Sequence, residues 1–296
     1  MRRTLLSLAL CGALLSSSAA AEATPEVSSR PAAGLPSAPS ASPSPGQVFR
    51  YGGHPRQNIT VYGRKGPALV ILHGGYWAHD TDWSGWARWF AARGFTVYDT
   101  DYRLTSDAVW PAQRDDVLAA LRWVRRHRGG GRPLVLGSSA GGHLALQAGL
   151  YGAGRDRVRG VVALSPVASP YRAWRDGARL GASAERRRLR GAAERLAGCV
   201  PGLLGAGRGC GRTWEDLSVA SHASGSTDAP LLLVHSVGDF VPVAHSVEVA
   251  EAERGAGSGS GSGDVTVPTV AGSAHGGAVL KGRGVAGAVV SWLRRR

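Results

Sequence analysis

Leu134-Val135-Leu136-Gly137-Ser138-Ser139-Ala140-Gly141-Gly142 decides the reading of this chain. Three apolar residues predict a short buried strand. Gly137-Ser138-Ser139-Ala140-Gly141 is a Gly-x-Ser-x-Gly turn, and Ala140 to Leu150 predicts a helix. Small residues let the backbone turn sharply there. Ser139 is then left exposed at a helix start, with the backbone N–H of Ala140 beside it. A glycine-rich strand-to-helix turn without chemistry is the bland alternative. The strand-turn-helix context favours the nucleophile.

Outward from this turn, strands and helices alternate. Asn58–Tyr62, Ala68–Leu72, Phe95–Tyr98, Leu134–Leu136, Val158–Leu164, Leu231–Val234 and Val265–Val270 read as strands. The run Ala68-Leu69-Val70-Ile71-Leu72 is apolar throughout, as expected of a strand buried on both faces. Helices are expected over 82–93, 111–127, 140–150, 243–254 and 279–293. Alternation of this kind predicts a mostly parallel sheet flanked by helices. The stretch from about 167 to 228 interrupts it. Arg-rich, polar and irregular to the eye, it reads as a lid inserted after the strand that ends near Ser165. The Gly/Ser stretch 255–263 reads as a flexible loop.

Residues 1–21 have the pattern of a signal peptide. Arg2 and Arg3 precede the apolar run Thr4–Leu15, and Ala19-Ala20-Ala21 offers a small-residue cleavage site. Residues 22–46 are rich in Ala, Pro and Ser and read as a disordered linker. The folded domain is expected over 47–296, and the mature protein outside the cytoplasmic membrane. Cys199 and Cys210 are the cysteines beyond the leader, and an even pair in an exported protein predicts a disulfide. No cysteine or histidine partner stands at zinc spacing, so no metal is expected.

The 296 residues carry a net charge of +14, almost all from arginine, since only Lys65 and Lys281 are lysines. No nucleic-acid motif accompanies this charge, so nucleic acid is not an expected partner. Arg186-Arg187-Arg188 with Arg190, and Arg294-Arg295-Arg296, are either solvated positions or contacts for an anionic cell envelope. The oligomeric state is open.

His73-Gly74-Gly75-Tyr76-Trp77 follows the Ala68–Leu72 strand, and Asp101-Tyr102-Arg103-Leu104 and Pro111-Ala112-Gln113-Arg114-Asp115-Asp116 lie downstream. With the Ser139 turn, these motifs resemble the hormone-sensitive-lipase-like branch of the α/β hydrolases, near the bacterial esterases that include feruloyl-esterase-like members. The resemblance runs from about 58 to 293 and is poorest in the lid. It implies an α/β-hydrolase fold and a serine ester hydrolase that needs no cofactor. It implies that backbone N–H groups of the Gly74-Gly75-Tyr76 turn complete an oxyanion hole with Ala140. The family's acid stands in a Gly-Asp-x-x-Val-Pro pattern. Gly238-Asp239-Phe240-Val241-Pro242 corresponds to it with one residue fewer between Asp and Val, and His235-Ser236 stands where the family often has His-Gly. His275, in Gly272-Ser273-Ala274-His275-Gly276-Gly277, follows in the fold's Ser-Asp-His chain order. Trp77 is expected to line the substrate pocket, whereas Trp86 and Trp110 also fit a core.

The expected reaction is hydrolysis of a small or polymer-linked carboxylic ester through an acyl-enzyme. An amidase of the aryl-formamidase type shares the fold and a similar His-Gly-Gly loop, but the export signal argues against that intracellular role. Lipase and polysaccharide-deacetylase activities fit the same motifs. A binding protein with a retained hydrolase fold would be expected to lack a triad member.

Overall fold

A computed structural model describes residues 46–202, 207–257 and 264–296. The leader, the linker up to Pro45 and most of the Gly/Ser loop lie outside the described residues.

Nine strands form the centre: β1 (Gln47–Arg50), β2 (Asn58–Tyr62), β3 (Ala68–Leu72), β4 (Thr96–Thr100), β5 (Leu134–Ser138), β6 (Gly160–Leu164), β7 (Leu231–Ser236), β8 (Val265–Thr266) and β9 (Thr269–Val270). Their order is β1-β2-β4-β3-β5-β6-β7-β8, with β9 also on β7. The pairs β1–β2 and β2–β4 are antiparallel, and the others are parallel.

The helices are α1 (Ser84–Ala91), α2 (Ala112–His127), α3 (Ala140–Leu150), α4 (Gly154–Arg157), α5 (Pro170–Asp176), α6 (Ala184–Ala197), α7 (Gly207–Leu217), α8 (Ala244–Ala256) and α9 (Val285–Arg294). They cover both faces of the sheet, which explains the unbroken apolar strands. On β3, Val70 and Leu72 join a core with Val117 and Leu121 of α2 and Leu144 of α3. Leu69 and Ile71, pointing the other way, join Phe90 of α1 and Val289 and Leu293 of α9.

Strand order also positions the functional turns. β3 pairs directly with β5, Leu72 opposite Gly137, so the loops leaving their carboxyl ends lie side by side. The chain order reverses at this point, where open α/β sheets take their ligands. β9 pairs His235 with Thr269 and Ser236 with Val270, and Gly238 N–H donates to Gly272 O at 2.9 Å. That pairing draws the turn after β7 against the loop after β9.

Three expectations need correction. The predicted strand Val265–Val270 is two short strands separated by Val267 and Pro268, since proline cannot donate to a ladder. The predicted last helix begins at Val285 rather than Val279, because a 3₁₀ turn over Gly276–Lys281 and Gly282-Arg283-Gly284 precede it. The interruption after β6 is not irregular. α5, α6 and α7 build it, and α6 buries Leu189, Ala192, Ala193 and Leu196 on one stripe. Ser183 caps α6 by accepting from Arg186 N–H at 3.3 Å, and Gly198 ends it at φ 69°. Its surplus of arginine hid this helical period.

The insertion is anchored to the sheet domain through Asp216. Its carboxylate accepts from Trp110 Nε1 and Arg114 Nη1, both at 2.7 Å. Cys199 and Cys210 are joined by a disulfide that links the end of α6 to α7.

Candidate active site

Ser139 stands between β5 and α3 at φ 53°, ψ −114°. A non-glycine residue holds such a backbone only where the surroundings enforce it. Close packing does so here. A Cβ on Gly137 would lie 2.2 Å from Gly141 O, and one on Gly141 would lie 2.2 Å from His73 O. Glycine at both positions lets the start of α3 sit against the ends of β3 and β5. Tyr76, Trp77 and Ser165 also have positive φ, so strained backbone gathers at the carboxyl ends of β3, β5 and β6.

The hydroxyl Oγ of Ser139 is 2.9 Å from Nε2 of His275. Nδ1 of the same ring is 2.8 and 3.1 Å from the two carboxylate oxygens of Asp239. Asp239 is buried, and its Oδ1 also accepts from Val241 N–H at 3.0 Å. Phe240 packs on the His275 ring, 4.2 Å between centroids, which fixes the imidazole from one side. This chain of bonds can draw the Ser139 proton onto His275 while Asp239 holds the ring's tautomer and offsets its charge.

Among the described residues, the backbone N–H groups of Gly75, Tyr76 and Ala140 make no hydrogen bond, whereas Gly75 O accepts from Ala78 and His79 N–H. The turn is built from its carbonyls. Its amides, beside Ser139, are available to an anion. Tyr102 donates its hydroxyl to His73 O at 2.8 Å and stacks on the His73 ring, holding the start of this loop.

These groups open into a cleft of about 370 Å³ lined by Gly74, Gly75, Tyr76, Ser139 and His275, with Trp83 and Trp86. Trp77 does not line it. The expectation for this residue is wrong, because Trp77 is fully buried and meets the His143 ring edge-on at 5.5 Å. Trp86, equally consistent with a core from the sequence, is half-buried at the cleft. Trp110 is a core residue and a donor to Asp216.

The other buried histidines are kept neutral by burial. The imidazole of His143 is pushed down to about 4, that of His235 to about 4 and that of His245 to about 3. They act as hydrogen-bonding core groups. His143 Nε2 meets Leu217 O, His235 Nε2 meets Ser246 Oγ, and His245 Nδ1 accepts from Ser169 N–H. Among the described residues, no group of three or more His, Cys, Asp or Glu side chains is gathered to hold a metal ion.

Residues 60–161 match the BD-FAE family model, over the segment that carries both glycine-rich turns. Solved structures share the architecture over most of the chain. A carbohydrate esterase from gut microbiota, in truncated form, aligns at a TM-score of 0.66 and 18% identity, over 86% of this chain and 98% of that one. Esterase B from Lactobacillus rhamnosis gives 0.65 and 20%, over 86% and 87%. The chain has the α/β-hydrolase fold. Est2 of Thermogutta terrifontis, with butyrate bound, aligns with this chain at 0.62 and 22%, over 84% and 94%. Esterase LipC of Mycobacterium tuberculosis is 37% identical to it over 114 residues, which is 34% of this chain and 28% of that relative's length.

Ser138 and Phe240 of this site were not read from the sequence. Ser138, beside the nucleophile position, accepts from Gly277 N–H through its Oγ at 3.0 Å. That bond ties the loop carrying His275 to the turn carrying Ser139. Only its place next to Ser139 could have signalled it. Ser138→Ala leaves the Gly277 N–H without its partner, at a cost of about 1–2 kcal/mol. Loosened alignment is expected to lower kcat about tenfold with little change in KM, and Ser138→Thr should recover most of it. A kcat for Ser138→Ala within twofold of wild type would remove this role.

Proposed function

We propose that this hydrolase is an exported serine esterase that cleaves carboxylic esters through Ser139, His275 and Asp239. The observation that carries the proposal is the unbroken hydrogen-bond chain from Ser139 Oγ through both nitrogens of His275 to Asp239, beside unengaged N–H groups. His275 takes the proton as Ser139 attacks the acyl carbonyl. The oxyanion is received by the N–H groups of Ala140 and of the Gly75-Tyr76 turn. The alcohol leaves with the proton from His275, and an acyl-enzyme remains. Water, deprotonated by the same ring, then releases the acid.

Kinship with the named esterases supports the ester as substrate. The aromatic walls of Trp83, Trp86 and Tyr76 suit an ester with an apolar or aromatic part. The helical insertion takes the place of a lid. It reaches the site's flank, where Arg186 Nε donates to Phe240 O at 3.0 Å. The disulfide between Cys199 and Cys210 supports an oxidising compartment, in line with the leader.

Hydrolysis of a series of p-nitrophenyl esters, with mapping of a fluorophosphonate adduct to Ser139, tests the activity. Turnover with a single adduct at Ser139 is expected. Neither turnover nor adduct would reject the reading. Recovery of the chain only from the cytoplasm of its host would reject export.

A further inference from the structure

The cleft around Ser139 has a charged rim that ester hydrolysis itself does not require. Lys281, one of only two lysines, ends the 3₁₀ turn that follows His275 and lines the cleft. It is exposed and, among the described residues, makes no ion pair. Arg188, on α6 of the insertion, lays its guanidinium over the Tyr76 ring at 4.5 Å. It too is exposed and has no acidic partner among the described residues. Tyr76 belongs to the same cleft, so Arg188 flanks its Tyr76 wall while Lys281 lines the cleft itself.

Among the described residues, the acids nearby form no ion pair with either cation. Asp82 lines the cleft but accepts from Ser84 N–H at 2.8 Å, ahead of α1. Asp80 pairs with Arg56. Glu185 stands exposed in the first turn of α6. Arg186, by contrast, is occupied by Phe240 O and forms part of the wall. Lys281 and Arg188 are therefore the cations at this rim that, among the described residues, have no ion-pair partner. Trp83, Trp86 and Tyr76 supply apolar faces to the same cleft. Such a cleft matches a ligand with an apolar body and a negative end. The net charge of +14 draws the same class of molecule toward the surface.

We infer that this site selects esters whose acyl or alcohol part carries an anionic group, and that Lys281 and Arg188 determine that preference. The inference rests on the esterase reading above and names its substrate class.

The test compares charged and neutral esters of matched length. On the acyl side the pair is p-nitrophenyl hydrogen adipate and p-nitrophenyl methyl adipate. On the alcohol side it is p-carboxyphenyl butyrate and p-carbamoylphenyl butyrate. The quantity read is the charged-to-neutral ratio of kcat/KM, in which any loss common to both esters cancels. For at least one pair, the ratio is expected to fall about fivefold in Lys281→Gln and about threefold in Arg188→Gln, as for exposed ion pairs. Raised salt should compress the wild-type ratio. Ratios unchanged in both variants would overturn the inference, even where salt alone moves them, because steering by the whole charge would then explain the preference. Wild type that cleaves neutral esters with ratios unmoved by substitution defeats only this inference. Wild type that cleaves none of the four defeats the esterase reading. In that case calorimetric titration with adipate still decides. Binding that weakens in Lys281→Gln supports the anion site, and equal or absent binding overturns it.

Discussion

His275→Ala is expected to lower kcat/KM for ester hydrolysis by about 10⁵-fold, and the Ser139→Ala/His275→Ala double variant to lose little more. The geometry gives the reason. Ser139 Oγ has one acceptor for its proton, His275 Nε2 at 2.9 Å. Without that ring the hydroxyl is a poor nucleophile, and without the hydroxyl the ring has nothing to activate. The two losses are therefore one loss. Asp239→Asn should cost about 10⁴-fold by another route, since its amide can offer N–H toward Nδ1 and favour the wrong tautomer. Circular dichroism should be unchanged in each variant. Additive losses, with the double variant falling by the product of the single effects, would show that Ser139 and His275 do not act as a unit.

Much of the fold was legible because burial and periodicity coincide. β3 and α3 occupy the predicted residues, Ala68–Leu72 and Ala140–Leu150. An all-apolar five-residue run has few other places to go than a strand between two layers of helices. The glycines of the Ser139 turn were legible for the same reason, as the close approaches at Gly137 and Gly141 tolerate no side chain. What failed was direction. Trp77 follows the glycines of the β3 loop, and no pattern tells which way a residue at φ 54° sends its ring. The structure sends it inward and leaves Tyr76, Trp83 and Trp86 at the cleft. Phe240 was passed over as the spacer between Asp239 and Val241, although the turn places it on His275. The insertion failed for a compositional reason. Leu189, Ala192, Ala193 and Leu196 form a helical stripe, but the arginines around them dominate the average and conceal it.

A second large effect is expected far from the cleft, in the dependence of stability on pH. Glu253 on α8 is 1% exposed, and among the described residues no donor faces either of its buried carboxyl oxygens, so only a protonated Glu253 can bond, by donating to Asp228. Asp228, just before β7, is also 1% exposed. Its Oδ2 accepts from the N–H groups of Ser224 and Gly225 at 2.6 and 3.0 Å, so it is held in place as an acceptor. Burial first, then the hydrogen bond and negative charge of Asp228, push the Glu253 carboxyl up to about 8 from 4.5. The folded protein thus keeps a proton that the unfolded chain gives up near pH 4.5. Between those values the folded state binds more protons, so stability falls as pH rises. The whole loss amounts to a few kcal/mol, complete once pH passes the folded value of about 8. Glu253→Gln removes the titration and keeps the shape, with an amide N–H able to donate toward Asp228. At pH 5 the variant should melt close to wild type. At pH 9 it should melt higher by several °C, as a few kcal/mol implies for a domain of this size. Thermal melts of both proteins across that range measure the difference directly. A difference in Tm that stays constant from pH 5 to 9 would mean that Glu253 carries no extra proton in the folded state, and the buried pair would then have to be held by charge it has already accommodated.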